Sequence, residues 1–131
     1  MQMNIAVAIH GTLVELLTKA TSGSVIELFH QVPGAFGVDS HGNLYIQKSG
    51  KYYRLNIQDE LVETDDVVSG IYDPKSDGYT YQKRGDRFSY NASPMGEVVP
   101  LGQHPCDECV AGRLGLYLKD GTRLLLLVIK P

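Results

Sequence analysis

The residues best suited to chemistry lie together in one short stretch, His104-Pro-Cys-Asp-Glu-Cys109. Two cysteines with two residues between them can ligate one Zn²⁺ ion, and His104 can add a third ligand. A structural zinc site needs four ligands, and no second cysteine pair occurs in the sequence. Three interpretations stay open. The pattern favours reduced, partly buried cysteines in a turn; the others are a zinc site of His104, Cys106 and Cys109 completed by another histidine or another subunit, and a local disulfide.

Catalytic motifs give little support for an enzyme. Pro-Cys-x-x-Cys resembles half the signature of the zinc nucleoside and base deaminases, but the chain lacks the His-x-Glu that supplies their remaining ligand and their general acid/base. A nucleophile elbow, a phosphate loop and a dinucleotide fingerprint are also absent from the sequence. Adjacent carboxylates such as Asp65 and Asp66 point to opposite faces of a strand, which suits solvent better than acid/base catalysis. We therefore name no catalytic residue and favour a noncatalytic protein.

Composition indicates an ordinary globular chain. Its 131 residues suffice for one domain, residues 1–131, and are too few for two. Fifteen acidic and twelve basic residues give a net charge of −3, which offers no general attraction to nucleic acid. No apolar run approaches the roughly 20 residues needed to span a bilayer, and the first residues lack the basic segment of a signal peptide. We expect a cytoplasmic protein that does not bind membranes.

A glycine-tipped motif recurs three times and predicts three β-hairpins. With Gly50, Gly85 and Gly121 superposed, a lysine stands two residues before each glycine and an apolar residue three residues after it. Glycine adopts positive φ without a Cβ clash, so such positions favour tight turns. The recurrence fits either an internal duplication or convergent turn chemistry. Because strand side chains alternate, we expect three apolar pairs to face the core: Tyr53 and Leu55, Phe88 and Tyr90, and Leu124 and Leu126.

The tips of these hairpins are rich in basic residues. If the hairpins lie side by side in one meander, the basic residues form a rim, and the acidic connector Ile57–Val68 falls at the opposite end. Such a rim suits anion binding or head-to-tail stacking of copies, while charges at loop ends also serve solubility. Outward tyrosines are common at protein interfaces, although they also pack across strands. The predicted binding surface is Lys48, Lys51, Tyr52, Tyr81, Lys83, Arg84, Arg87, Lys119 and Arg123.

The N-terminal part predicts one strand and one or two short helices. Met3–Ile9 alternates apolar and other residues, as a strand does. Thr12 and Glu15 form a capping-box pattern ahead of apolar residues at helical spacing, which predicts a helix. Ser24–Gln31 repeats this pattern, so we expect a second helix. A strand is the competing interpretation there, because Val, Ile and Phe favour strands.

From Phe36 onward the pattern is β. A turn at His41–Asn43 separates two strands, and Ile57–Val68 suits a solvated loop or an edge strand. Ala92–Pro105 is rich in Pro and Gly and predicts an irregular crossing. The final arm, Leu124–Ile129, is apolar on both faces, so it must be central in a sheet or buried in a subunit interface.

Together these patterns predict an α+β fold, namely a predominantly antiparallel β meander or partly open barrel with one or two short N-terminal helices. The favoured function is a noncatalytic protein-interaction or assembly module, either a self-assembling structural protein or a partner-binding or inhibitory protein. Its partner is then another protein or a second copy in a homo-oligomer. The alternative is a small-ligand-binding β protein or a zinc-dependent enzyme using the His104–Cys109 loop. Zinc is the one cofactor that the sequence suggests.

Overall fold

A computed structural model describes residues 13–56, 60–92 and 96–130 of the chain. The predicted first strand, Met3–Ile9, and the capping residue Thr12 lie outside these residues. Helix α1 spans Leu13–Lys19, so the first predicted helix is confirmed. Its apolar side chains pack against the core between two sheets. A 3₁₀ helix spans Pro74–Asp77 and precedes the sixth strand.

Eleven strands form within the described residues. In chain order they are β1 (Val25–Phe29), β2 (Ala35–Val38), β3 (Leu44–Lys48), β4 (Lys51–Leu55), β5 (Leu61–Thr64), β6 (Thr80–Arg84), β7 (Arg87–Asn91), β8 (Val99–Gln103), β9 (Glu108–Gly112), β10 (Gly115–Asp120) and β11 (Arg123–Val128).

The strands form three open antiparallel sheets. The central sheet has the order β1-β11-β10-β9, the second sheet β2-β3-β4-β5, and the third sheet β6-β7-β8. The predicted predominance of antiparallel structure is confirmed, but the barrel alternative is not what forms. A barrel has one interior and therefore covers one face of each strand. The doubly apolar β11 needs cover on both faces, which stacked sheets provide.

Strand β11 lies in the middle of the molecule. It pairs with β1 on one side and β10 on the other. Its alternate residues belong to two core clusters: Leu126 shares one with Ile46 of the second sheet, and Leu127 shares the other with Phe88 of the third sheet. Each leucine buried in this way contributes about 1.5–3 kcal/mol. The central sheet is thus the middle of three β layers, and the predicted central position of Leu124–Ile129 is confirmed.

The predicted second helix is wrong, because Val25–Phe29 forms strand β1. This strand pairs antiparallel with β11. Pairing with an apolar strand outweighs the capping pattern, since β-branched and aromatic side chains fit a pleated, buried surface. Ser24 Oγ accepts a hydrogen bond from Thr21 N at 3.1 Å, so the serine shapes the turn before β1 instead of capping a helix.

Two strands do not follow from the sequence pattern. Strand β8 forms inside Ala92–Pro105, the segment predicted to be an irregular crossing. That prediction is therefore wrong for Val99–Gln103. Pro100 and Gly102 make this segment look unlike a strand in the sequence. A proline is nevertheless tolerated in an outer strand such as β8, and the pairing of β8 with β7 contains a register shift. Strand β9 contains Cys109, which was expected in a turn. For the acidic connector, the edge-strand alternative is confirmed by β5.

Candidate functional site

All three predicted hairpins form, as β3–β4, β6–β7 and β10–β11. Each is closed by two residues. Ser49 and Gly50 have φ angles of 54° and 76°, and Gly85 and Gly121 have φ angles of 64° and 63°. Positive φ at these positions matches the twist of the flanking strands. Each hairpin belongs to a different sheet, so the predicted side-by-side arrangement in one meander is wrong.

The three hairpin turns nevertheless lie at one end of the molecule, which we call the tip end. The connection between β1 and β2 contacts two of them. Val32 N donates to Thr122 O, in the β10–β11 turn, at 2.8 Å. Two residues later, Gly34 packs closely against the Gln47 carbonyl next to the β3–β4 turn. The absence of a side chain at Gly34 permits this approach.

The connection between β8 and β9 brings in the third turn. His104 N donates to Asp86 O of the β6–β7 turn at 2.8 Å, and Gln103 Nε2 donates to Asp86 Oδ2 at 2.8 Å. Further along, Asp107 Oδ2 accepts from Gly121 N of the β10–β11 turn at 2.9 Å. The connection that carries Cys106 therefore links the tips of the central and third sheets.

Acidic side chains balance part of the basic surface at the tip end. Lys51 lies 3.8 Å from Glu63, and Arg123 lies 3.5 Å from Glu27 and 3.0 Å from Asp120. Glu63 belongs to the acidic connector and lies on β5, yet it contacts Lys51 at the tip end. The prediction that the connector lies at the opposite end is therefore wrong for β5. Exposed pairs of this kind stabilise a fold by at most about 1 kcal/mol each. They do lower the positive charge that an anion would meet.

The other predicted basic residues also lie on the three hairpins. Lys83 Nζ stands 6.0 Å from the centre of the Phe88 ring, and Arg84 and Arg87 are exposed and opposite each other across the β6–β7 turn. Lys119 is opposite Leu124 in the β10–β11 pair. The basic residues of the predicted binding surface thus lie near one end of the molecule, but on three different sheets. Lys48 also lies there, at the start of the β3–β4 turn, opposite Lys51.

The two predicted tyrosines lie apart from each other. Tyr52 is on the outer face of the second sheet, in edge-to-face contact with Tyr45 at 5.3 Å between ring centres and 78° between planes. Val67 and Val68 line the same small cavity as both rings. Tyr52 is therefore half-buried and packed within its own chain. Tyr81 lies on β6, in another sheet.

Cys106 and Cys109 are free thiols, half-buried against the core between the central and third sheets. Burial is the main cause that raises the pKa of the Cys109 thiol to about 11, and the neighbouring Cys106 raises it further. The thiol is therefore neutral at pH 7. Within residues 13–56, 60–92 and 96–130, no group of three or more His, Cys, Asp or Glu side chains is placed to hold a metal ion. A zinc site at His104, Cys106 and Cys109 stays a prediction.

Outer strands of all three sheets border one flank of the molecule. Val38 of β2, Val110 of β9 and Tyr81 of β6 line a groove of about 350 Å³ on this flank. We call it the flank groove. Ile71 also lines the flank groove and is 95% exposed. An apolar groove beside unpaired sheet edges is a feature of interaction surfaces.

A buried tyrosine fixes the approach to β6. Tyr79 is 1% exposed, and its hydroxyl donates to the Gly112 carbonyl at the end of β9. Burial raises the pKa of Tyr79 to about 12. The nearby Tyr72 hydroxyl donates to Asp77 of the 3₁₀ helix. These contacts tie the third sheet to the central sheet and hold β6 in place at the flank.

The sequence does not predict the cavity that lies at the end opposite the tips, which we call the base cavity. It has a volume of about 290 Å³ and lies between the central and second sheets. The β2–β3 turn at Gly42 and Asn43 borders it, and Arg54 and Asp66 stand at its polar side. Tyr117 also faces it. The apolar wall consists of Leu13, Leu28, Leu44, Leu55, Leu114 and Leu126.

A buried ion pair positions Arg54 at the base cavity. Asp39 is 1% exposed and accepts hydrogen bonds from His41 N and Asn43 N at 3.0 Å and from Arg54 Nη2 at 2.6 Å. Burial raises the pKa of Asp39, but these three bonds outweigh it and hold the pKa below the usual 3.8. Arg54 Nη2 also donates to the main-chain carbonyl of Asp66. The arginine is therefore fixed before any ligand arrives.

Comparisons with known proteins give no assignment. No protein-family model matches the chain, and neither the curated proteins nor the solved structures contain a match. In the part of the chain that the structure describes, no helix has the length and apolar character to cross a membrane. Any functional inference therefore depends on the flank groove, the tip end and the base cavity themselves.

Proposed function

We propose that the protein is a noncatalytic assembly module that binds a second copy of itself by pairing strand β6 with β6 of that copy. The free outer edge of β6 beside the flank groove carries the proposal. Among the strands that the structure describes, β6 has one neighbour in the third sheet, β7. Among the described residues, no backbone hydrogen bond from an element other than β7 reaches Thr80–Arg84. An edge in this state offers its N–H and C=O groups to an incoming strand.

The hairpin geometry indicates which groups of β6 point outward. Arg84 and Arg87 close a two-residue turn, and such a closing pair is hydrogen-bonded. Bonded and non-bonded pairs alternate along an antiparallel ladder. The N–H and C=O groups of Tyr81 and Lys83 therefore point away from β7. These residues supply the donors and acceptors for an added strand.

An antiparallel copy of β6 centred on Gln82 uses all of these groups. In this register Tyr81 lies opposite Lys83 of the copy, and Lys83 lies opposite Tyr81 of the copy. Each pair then exchanges both of its backbone hydrogen bonds about a two-fold axis. The lysine and the tyrosine ring also stand close enough for a cation–π contact. The edge is thus complementary to itself.

The charges beside β6 agree with this antiparallel pairing. Asp73 and Asp77 lie before β6 in the sequence. Arg84 is the last residue of β6, and Arg87 begins β7 just after the turn. A two-fold copy brings the acidic end of one strand toward the basic end of the other. Opposite charges at both ends favour this orientation over a parallel one.

Stacking of copies through the basic tip end has less support. That model needs a strongly positive surface facing a negative one. At the tip end, Glu63, Glu27 and Asp120 lie within 4 Å of predicted cationic partners. We therefore place the assembly surface at β6, which carries the predicted residues Tyr81, Lys83 and Arg84.

Sedimentation velocity over a range of protein concentrations tests the proposal. An added strand buries less than a standard interface of about 1,600 Å², so we expect a weak, concentration-dependent dimer. Lys83→Pro removes the outward N–H at a position where an outer strand tolerates proline. Lys83→Ala is the matched control, because it removes the same charge and keeps the N–H.

We expect the wild type and Lys83→Ala to form dimers and Lys83→Pro to remain monomeric, with unchanged circular dichroism. A wild type that stays monomeric at the highest concentration reached would refute the proposal. Dimerisation of Lys83→Pro equal to that of Lys83→Ala would also refute it, since the β6 edge would then not be the contact.

A further inference from the structure

We propose that the base cavity binds a small amphipathic carboxylate, with its carboxylate group at Arg54 and its apolar body among the leucines of the wall. This site lies at the end opposite the tips and away from the β6 edge. The inference is therefore independent of the proposed assembly function.

The arginine at the cavity keeps donors available for an anion. Within the described residues, both hydrogen bonds of the Arg54 side chain leave from Nη2, one to Asp39 and one to the Asp66 carbonyl. Nε and Nη1 are therefore left to donate elsewhere. Each bidentate fork of a guanidinium group includes Nη2, so a carboxylate here accepts a single charge-assisted bond, from Nε or from Nη1. Because Asp39 already fixes the side chain, binding costs little additional ordering.

The two acidic residues nearby do not compete with a bound carboxylate for this space. The Asp39 side chain is fully enclosed by its hydrogen-bond partners and is 0% exposed. Asp66 offers Arg54 its main-chain oxygen, and the residue itself is exposed, where water and salt screen its charge. An incoming anion thus meets N–H groups directly, while Asp39 at 2.6 Å offsets part of the guanidinium charge.

The cavity wall suits a short apolar body. Six leucines of the described chain line it, and its 290 Å³ is near the lower limit of ligand pockets, about 300–1,000 Å³. Tyr117 is 3% exposed, and its hydroxyl has no hydrogen bond to a described residue. Burial raises the pKa of Tyr117, so this hydroxyl is neutral. The geometry favours a ligand much smaller than a typical cofactor.

Ligands that share a tail and differ in the head group test the charge requirement. Octanoate, octanol and octylamine are titrated into the full chain at pH 7, with isothermal calorimetry as the measurement. We expect octanoate to bind at least about tenfold more tightly than the other two, because a charge-assisted bond to arginine is roughly twice as strong as a neutral one. Octanoate that does not saturate, or octanol or octylamine that binds equally well, would overturn the proposal.

Two variants test the location. Leu44→Phe enlarges a wall residue and reduces the cavity, and Val98→Phe adds the same ring at an exposed position before β8, outside the cavity. We expect Leu44→Phe to weaken octanoate binding about tenfold or more and Val98→Phe to leave it unchanged. Unweakened binding to folded Leu44→Phe would overturn the assignment.

The head-group preference should depend on Arg54. In Arg54→Gln we expect octanoate and octanol to bind equally, and a retained preference for octanoate would contradict the role of the guanidinium. If Arg54→Gln fails to fold because Asp39 loses its partner, the wild-type titrations and the Phe variants still decide the question.

Discussion

Replacing Asp39 by Asn tests the buried ion pair beside the base cavity. An asparagine can keep one oxygen for His41 N and Asn43 N, which lie 3.0 Å from Asp39 Oδ1. At the other position it places a neutral amide group where Oδ2 now accepts from Arg54. The arginine then retains its charge without a counterion in a place where its side chain is only 23% exposed.

The size of the effect follows from this burial. Removing one partner of a fully buried ion pair costs about 3–5 kcal/mol. Arg54 keeps its bond to the Asp66 carbonyl and some contact with water, so we expect a smaller loss of about 2–3 kcal/mol for Asp39→Asn. Domains of this size have a free energy of unfolding of about 5–15 kcal/mol, so the loss is large enough to measure.

The effect should depend on pH with a definite sign. The folded pKa of Asp39 lies below its ordinary value of 3.8. The carboxylate therefore stabilises the fold fully above the unfolded pKa, and this contribution is lost as the pH falls through the folded pKa. We expect the difference between the wild type and Asp39→Asn to be constant from pH 7 to about 5 and to shrink below about pH 4.

Urea unfolding followed by circular dichroism measures these differences. Asp66→Asn is the control, because Asp66 meets Arg54 through its main chain, and we expect a change within about 0.5 kcal/mol. A cost of less than about 1 kcal/mol for Asp39→Asn, or an equal cost at pH 7 and at pH 3, would contradict the stabilising role of the ion pair.

Other positions give further tests. Tyr79→Phe should cost about 1–2 kcal/mol in urea unfolding, because the Gly112 carbonyl loses its buried donor, and no loss would contradict that bond. Gly115→Ala should lower the melting temperature far more than Gly121→Ala, since a Cβ at Gly115 lies 2.8 Å from Ile129 N and one at Gly121 meets open space; equal losses would contradict the packing. Alkylation of Cys109 by iodoacetamide, followed by peptide mass spectrometry, should be slow at pH 7 and rise toward its pKa of about 11; rapid reaction at pH 7 would contradict its burial.

The hairpins are predictable from the sequence because their turns depend on neighbouring residues. Gly85 and Gly121 each need a positive φ at one position between two β-rich runs, and both are visible in the sequence. The distribution of strands over sheets is not predictable in this way. Strand β1 pairs with β11 from the far end of the described chain, and that pairing converts a helix-like pattern into a strand. Long-range partners decide such cases, not local propensity.

The candidate sites differ in the same respect. Asp39 precedes a Ser-His-Gly-Asn turn, and an aspartate there commonly caps the following backbone N–H groups. No local signal identifies Arg54 as its ion-pair partner. The flank groove is equally hidden, because Ile71, Val38 and Val110 come from separate segments. The predicted residues Tyr81 and Lys83 do lie on the proposed edge, since charged and aromatic residues on a hairpin are visible in the sequence.

The central position of β11 has a consequence for biosynthesis. This strand follows every other described strand in the sequence, yet it supplies residues to both core clusters. A nascent chain that has not yet exposed β11 from the ribosome leaves the second and third sheets without the layer that separates and covers them. Their apolar faces are then open to one another and to chaperones until Val128 has emerged from the ribosome. Folding of the layers should therefore occur as one late event, and not sheet by sheet during synthesis.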